Sequence, residues 1–245
     1  MSDKESKPDS KGVDFYKLYA RVLPVYIVLL PGGIAAKFWL ANSSILGSVV
    51  ALIGGPLCLA FLAAEMGRDA GHRKQRDLWE RWGGSPSVQR LRHRNAEVNP
   101  VVRTRLHRKL LKLVPDVTLP TAAEESADPL AADHAYDACV QVLIARTRDT
   151  RRFRLLYKEN VSYGFRRNLW GLKPVGLMLA VLGTVATSLF AWRALPNLAP
   201  DIPAALITHA GLILFWLVIV TREWVRVPAD AYASRLFEAC DELSA

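Results

Sequence analysis

The sequence predicts an all-α polytopic membrane protein in which two transmembrane helical hairpins flank a helical cytoplasmic domain. Two observations predict it. Four apolar stretches, roughly Leu23–Trp39, Ile45–Ala64, Val175–Trp192 and Ile202–Val220, each approach the length a helix needs to cross a bilayer. Between the second and third, residues 68–173 hold 22 Lys and Arg against 12 Asp and Glu, a net charge near +10 in a chain that totals +9. A composition that is 51% hydrophobic and 22% charged suits spans alternating with polar segments better than one soluble domain.

Residues 1–22 form a polar tail with Lys4, Lys7, Lys11, Lys17 and Arg21, and no small-residue cleavage site follows a short apolar core, so the first span is expected to remain as an anchor. The first hairpin, residues 23–64, turns through the uncharged Leu40–Ser44. Pro31, Gly32 and Gly33 in one arm and Gly54, Gly55 and Pro56 in the other are expected to meet near mid-membrane. Proline removes a helix hydrogen bond and glycine loosens the backbone, so these triplets are candidates for a hinge or pore element, weighed against simple close packing.

The third segment, residues 65–173, reads as a basic helical domain. A helix continuing from the second span through Arg68, Arg76, Trp79 and Trp82 is ended by Gly83, Gly84, Ser85 and Pro86. Asn99 and Pro100 give a start signal for the next, which Pro115 closes; within it Val102, Leu106, Leu110 and Leu113 make an apolar stripe and Arg105, Arg108, Lys109 and Lys112 a basic arc. Asp128 and Pro129 repeat the signal for a helix reaching toward Arg148. The second hairpin, residues 174–221, turns through the uncharged Ala194–Pro200, and its small residues Ala180, Thr184 and Ser188 beside Gly183, Thr187 and Ala191 suit helix–helix contact. His209 is its polar candidate. Residues 222–245 form a cytoplasmic tail whose amphipathic helix is expected to begin at Pro228.

The charge bias puts the basic domain and both termini on the cytoplasmic side of a bacterial inner membrane, and four crossings agree with two termini on one side. Trp39 and Trp192 fall at the expected outer interface; Tyr16, Tyr19, Trp170 and Trp224 fall at the inner one.

Enzyme signatures are absent: there is no GxxxxGK phosphate loop, no GxGxxG, no GxSxG and no HExxH. No catalytic residue and no cofactor is therefore assigned. Cys58, Cys139 and Cys240 lack CxxC spacing, and Asp133, His134 and Asp137, with His93 or His107, read more simply as solvated helix charges than as a metal site. Arginine outnumbers lysine several-fold in the central segment, and its planar fork suits phosphate and carboxylate. The densest run gives the candidate ligand- or partner-binding set: Arg146, Arg148, Arg151, Arg152, Arg154, Tyr163, Arg166, Arg167 and Asn168, near the rings of Trp79, Trp82, Phe153, Tyr157 and Phe165. Contact with the anionic inner leaflet is the competing role for these arginines.

The strings Trp82-Gly83-Gly84-Ser85-Pro86, Leu91-Arg92-His93-Arg94 and Glu159-Asn160-Val161-Ser162-Tyr163-Gly164-Phe165-Arg166-Arg167-Asn168, with Gly171-Leu172-Lys173-Pro174, resemble those of uncharacterised bacterial four-span inner-membrane proteins. The resemblance implies a bacterial membrane protein and brings no activity with it. The expectation is a non-enzymatic protein, a homo-oligomer or part of a membrane complex, whose basic domain senses a nucleotide or other phosphorylated ligand and signals to the bundle. Membrane-perturbing effectors of antiphage defence share that plan. The rivals are a scaffold docking a cytoplasmic protein and, less favoured, a transporter or membrane enzyme using His209, Asp133, Asp137 or Glu159.

Overall fold

A computed structural model describes residues 15–40 and 55–243. Every regular element among them is helical. A π-helical turn, Lys17–Val22, leads into α1, Leu23–Trp39. Then follow α2, Gly55–Trp82; α3, Pro86–Leu91; α4, Pro100–Leu113; α5, Ala122–Ala127; and α6, Pro129–Arg146. The chain continues with α7, Arg154–Arg193, α8, Ile202–Leu214, a second π-helical turn, Phe215–Ile219, and α9, Arg222–Glu242. Three stretches, Lys17–Trp39, Arg154–Arg193 and Ile202–Ile219, are long and apolar enough to cross a membrane. Of the apolar stretch 45–64, positions 45–54 lie outside the described residues, as do the turn at 41–44 and Gly54.

The chain forms two compact units, Met1–Asp69 with Leu172–Trp216 and Ala70–Gly171 with Leu217–Ala245. The boundary falls inside α2 and again inside α7.

In the first unit, small residues govern packing. A Cβ placed on Gly183 would lie 2.9 Å from both the Pro31 carbonyl oxygen and the His209 ring, so only glycine admits this approach of α7 to α1 and α8. Ala180 and Thr187, on the same face of α7, are fully buried. Ser188 and Leu182, on other faces, are exposed, as are Met178 and Leu189. Such apolar outward faces suit lipid, where backbone groups are satisfied within helices and side chains need no water. At the α7–α8 end, Phe38, Ile202 and Ala205 form a cluster with Ile34 and Phe190. Lys37 donates to Asp201 at 2.5 Å, and the Trp39 indole N–H donates to the Ala186 carbonyl at 3.2 Å.

Sequence signals for helix ends operate in the second unit. α2 stops where Gly83 and Gly84 take φ of 79° and 126°, conformations that L side chains rarely adopt. The side chains of Ser85, Asn99 and Asp128 accept the first free N–H groups of α3, α4 and α6, each followed by a proline in the first turn. Thr121 and Glu124 form a reciprocal capping box on α5. The core gathers Leu91, Leu110, Tyr136, Leu143, Phe153, Leu236 and Cys240, so α9 is an integral part of it.

Two expectations are corrected. The last helix starts at Arg222 rather than at Pro228: Thr221 supplies the cap by accepting from the Trp224 N–H at 3.2 Å, and Pro228 lies buried inside the helix. The helix begun at Asp128 ends at Arg146 rather than running on to Arg148, and Thr147 closes it by donating to the Leu143 carbonyl at 2.8 Å.

Candidate functional site

The arginine-dense run divides into two environments. Between α6 and α7 the chain is folded by Asp149, whose carboxylate accepts from the N–H groups of Arg151 and Arg152. Around that turn Arg146, Arg148, Arg151, Arg152 and Arg154 are all exposed. Arg152 donates to the Glu242 carbonyl at 2.5 Å and lies 5.1 Å above the Phe153 ring.

Three turns further along α7 the remaining candidates are packed. Arg166 stands 4.7 Å over the Trp224 ring and donates to the Trp224 carbonyl at 2.9 Å. Arg167 is only 6% exposed; it donates to Gln75 Oε1 at 2.7 Å and lies 5.5 Å over Tyr163. Its acceptors are neutral, so this charge is held by dipoles and a ring face rather than by a carboxylate. Asn168 is buried against Gly71, and a Cβ on Gly171 would meet the Gly71 nitrogen at 2.6 Å, so backbone touches backbone here. Twelve helical residues separate Arg154 from Arg166, roughly 18 Å at the α-helical rise. The nine sequence-chosen residues therefore form an exposed rim and a packed seam, not one pocket.

Of the membrane candidates, Pro31 and His209 are brought together at Gly183, where an added Cβ would meet the Pro31 carbonyl oxygen and the His209 ring at 2.9 Å. α1 runs unbroken through Pro31, Gly32 and Gly33; Pro31 is buried, while added Cβ atoms on Gly32 or Gly33 would meet nothing within 4 Å. Gly55 and Pro56 open the described part of α2. His209 is buried with its Nε2 3.1 Å from the Thr187 hydroxyl.

Sequence reasoning missed the densest polar assembly. Glu125, 1% exposed, accepts from the Tyr136 hydroxyl at 2.6 Å, from the N–H groups of His93 and Arg94 at 2.7 and 3.0 Å, and from the Arg94 guanidinium at 3.0 Å. Asp133 takes Arg92 through two bonds of 2.8 and 2.7 Å and Arg94 through Nη2 at 2.9 Å. His93 and His107 donate through Nε2 to the Pro120 and Leu91 carbonyls. Burial alone pushes the Glu125 carboxyl up, but the bonds from Tyr136, Arg94 and His93 together with the Arg94 charge outweigh it and hold it down to about 2. Burial, then the neighbouring Glu125, pushes the Tyr136 hydroxyl up, and burial first of all lowers His107. Asp133, considered from sequence as a metal ligand, is thus occupied by two arginines. These groups satisfy one another and lock α3, α5 and α6 together.

Among the described residues the fold is all-helical, with three helices long and apolar enough to span a bilayer. No family model, curated protein or solved structure matches the chain.

Proposed function

We propose that this is a four-span protein of a bacterial inner membrane, with both termini cytoplasmic, whose basic helical domain binds an anionic ligand or partner and transmits that event to the bundle. The single observation behind it is unmatched charge. Arg146, Arg148 and Arg154 are exposed and have no ion pair among the described residues, whereas Arg92 and Arg94 of the same domain are matched by carboxylates. Five exposed arginines around one carboxylate, Asp149, leave an excess of guanidinium charge that attracts phosphates or carboxylates from outside. Transmission is assigned to α2 and α7, because each contributes residues to both compact units. A membrane-perturbing effector of antiphage defence, acting as a homo-oligomer, is the specific form of this reading.

The test follows membrane potential and growth of cells expressing the full chain during phage infection and nucleotide supply, together with thermal unfolding of the purified protein. Ligand-dependent depolarisation and a raised melting temperature are expected. Unchanged potential, growth and melting temperature overturn it. The rival, a membrane scaffold, draws on the exposed Val101, Leu130 and Leu155 of the basic domain. A stoichiometric protein partner recovered in mild detergent, with no small-ligand response, selects it.

A further inference from the structure

Helix α4 carries Arg105, Arg108, Lys109 and Lys112 at positions i, i+3, i+4 and i+7, a spacing that sets four cations along one side of a helix. Beside them opens a cavity of about 240 Å3 that these four residues line together with Leu113 and Leu243. Among the described residues, one carboxylate pairs with these four charges. Asp241 of α9 accepts from Arg105 Nη2 at 2.7 Å and from Lys109 Nζ at 3.1 Å. Arg108 and Lys112 are exposed and have no side-chain partner among the described residues.

This imbalance distinguishes the α4 cavity from a second arginine-lined hollow of the domain. That one, lined in part by Arg92, Arg94 and Arg226, has Asp133, Glu125 and Asp230 paired with its arginines. At α4, like charges one turn apart repel each other, and an anion relieves that repulsion while making charge-assisted bonds to several donors. The lining narrows the ligand: four cationic donors gathered on one hollow suit the closely spaced oxygens of a phosphate or diphosphate group. Burial raises the Asp241 carboxyl, and the bonds from Lys109 and Arg105 more than reverse this, so it stands ionised as the internal occupant of the donors.

We propose that the α4 cavity binds the phosphate or diphosphate group of a small phosphorylated molecule, with Arg108 and Lys112 as its first contacts and Asp241 as the carboxylate it displaces from Arg105 and Lys109. The proposal rests on the anion-binding reading above and places the site away from the Arg146–Arg154 rim. Displacement removes the two ion pairs that tie Asp241 of α9 to α4, which gives the binding event a structural output. A lipid headgroup carries the same phosphate chemistry as a soluble ligand.

The experiment titrates inorganic pyrophosphate into the full chain in phosphatidylcholine nanodiscs by calorimetry, for the wild type, Arg108→Glu/Lys112→Glu, Asp241→Asn and Arg148→Glu/Arg151→Glu/Arg154→Glu. Loss of at least about tenfold in affinity is expected for the α4 double variant, where two charge-assisted bonds are removed. Asp241→Asn is expected to tighten binding several-fold, a gain that a folding defect does not produce, and the rim variant to lose less affinity than the α4 double variant. A second arm adds phosphatidylglycerol. Stabilisation by that lipid, abolished in the α4 double variant and unaccompanied by pyrophosphate heat, assigns the headgroup as the source of the phosphate. Equal affinity in the wild type and the α4 variant, with loss in the rim variant, overturns the α4 site and leaves the anion-binding reading intact. No response of the wild type in either arm overturns both.

Discussion

At Glu125 a carboxylate is buried to 1% exposure, yet its four hydrogen-bond donors hold it ionised. Its folded-state pKa of about 2 lies below the ordinary 4.5. A depressed carboxylate contributes stability that is complete above the unfolded value and is lost as pH falls toward the folded one. The window is therefore pH 4.5 down to about 2, and the contribution at neutral pH is on the order of 3 kcal/mol. Thermal unfolding of the full chain in detergent should show the second unit losing stability across that window, and Glu125→Gln should lower the neutral-pH melting temperature and flatten the acid dependence. An unchanged acid profile in the variant would remove Glu125 from its assigned place. Arg167 makes the opposite case, a buried cation held by neutral groups. Leaving a buried charge without its acceptor costs more than replacing the charge with an apolar chain of similar shape. Gln75→Leu is thus expected to destabilise by about 2 kcal/mol and Arg167→Met by less; the reverse order in denaturation would show that the guanidinium finds another acceptor.

At the scale of elements, α2 and α7 meet where Gly171 leaves no space. Its added Cβ would fall 2.6 Å from the Gly71 nitrogen and 2.8 Å from the Ala70 carbonyl carbon, both backbone atoms that cannot rotate away. Gly171→Ala should cost about 1–3 kcal/mol, whereas Gly32→Ala, with nothing within 4 Å, should be neutral or stabilise by up to about 1 kcal/mol. Parallel melting curves check the pair, and equal effects would mean that the α2–α7 approach relaxes freely. The two glycines also show what a sequence carries. Helix starts at Asn99-Pro100 and Asp128-Pro129 were legible because a cap and a first-turn proline act within three residues. So was the basic arc of α4, a matter of helical period alone. The true start of α9 was harder to see because Thr221 precedes an internal proline that ordinarily breaks a helix. Pairings such as Arg92 with Asp133, 41 positions apart, and Arg105 with Asp241, 136 apart, have no local signature. Tertiary packing alone selects one carboxylate among many. For the same reason the run from Arg146 to Asn168 read as a single site, since sequence proximity hides the roughly 18 Å of helix between its halves.

For the whole molecule, the proposed orientation rests on how charge is distributed about the apolar helices. Few cations lie near the connection from α7 to α8, and those are engaged: Lys37 is paired with Asp201, and Arg193 stands 5.2 Å over the Trp39 ring. The Lys37–Asp201 pair is exposed, so it contributes under about 1 kcal/mol to stability, but it offsets the charge that would otherwise weigh against export of this turn. Against it stands the net charge near +10 of residues 68–173, which in the proposed orientation faces the cytoplasm, as the positive-inside rule favours. Parity then tests the span count. Three crossings put the termini on opposite sides; a fourth, at residues 45–64, returns both to the side of the basic domain. Alkaline phosphatase inserted after Asn197 should be active, because it folds only outside the cytoplasm, and green fluorescent protein should fluoresce at either terminus. Fluorescence at the carboxy terminus but not at the amino terminus would mean that residues 45–64 do not cross. Fluorescence after Asn197 would invert the whole arrangement and place the arginines outside, away from any cytoplasmic phosphorylated ligand.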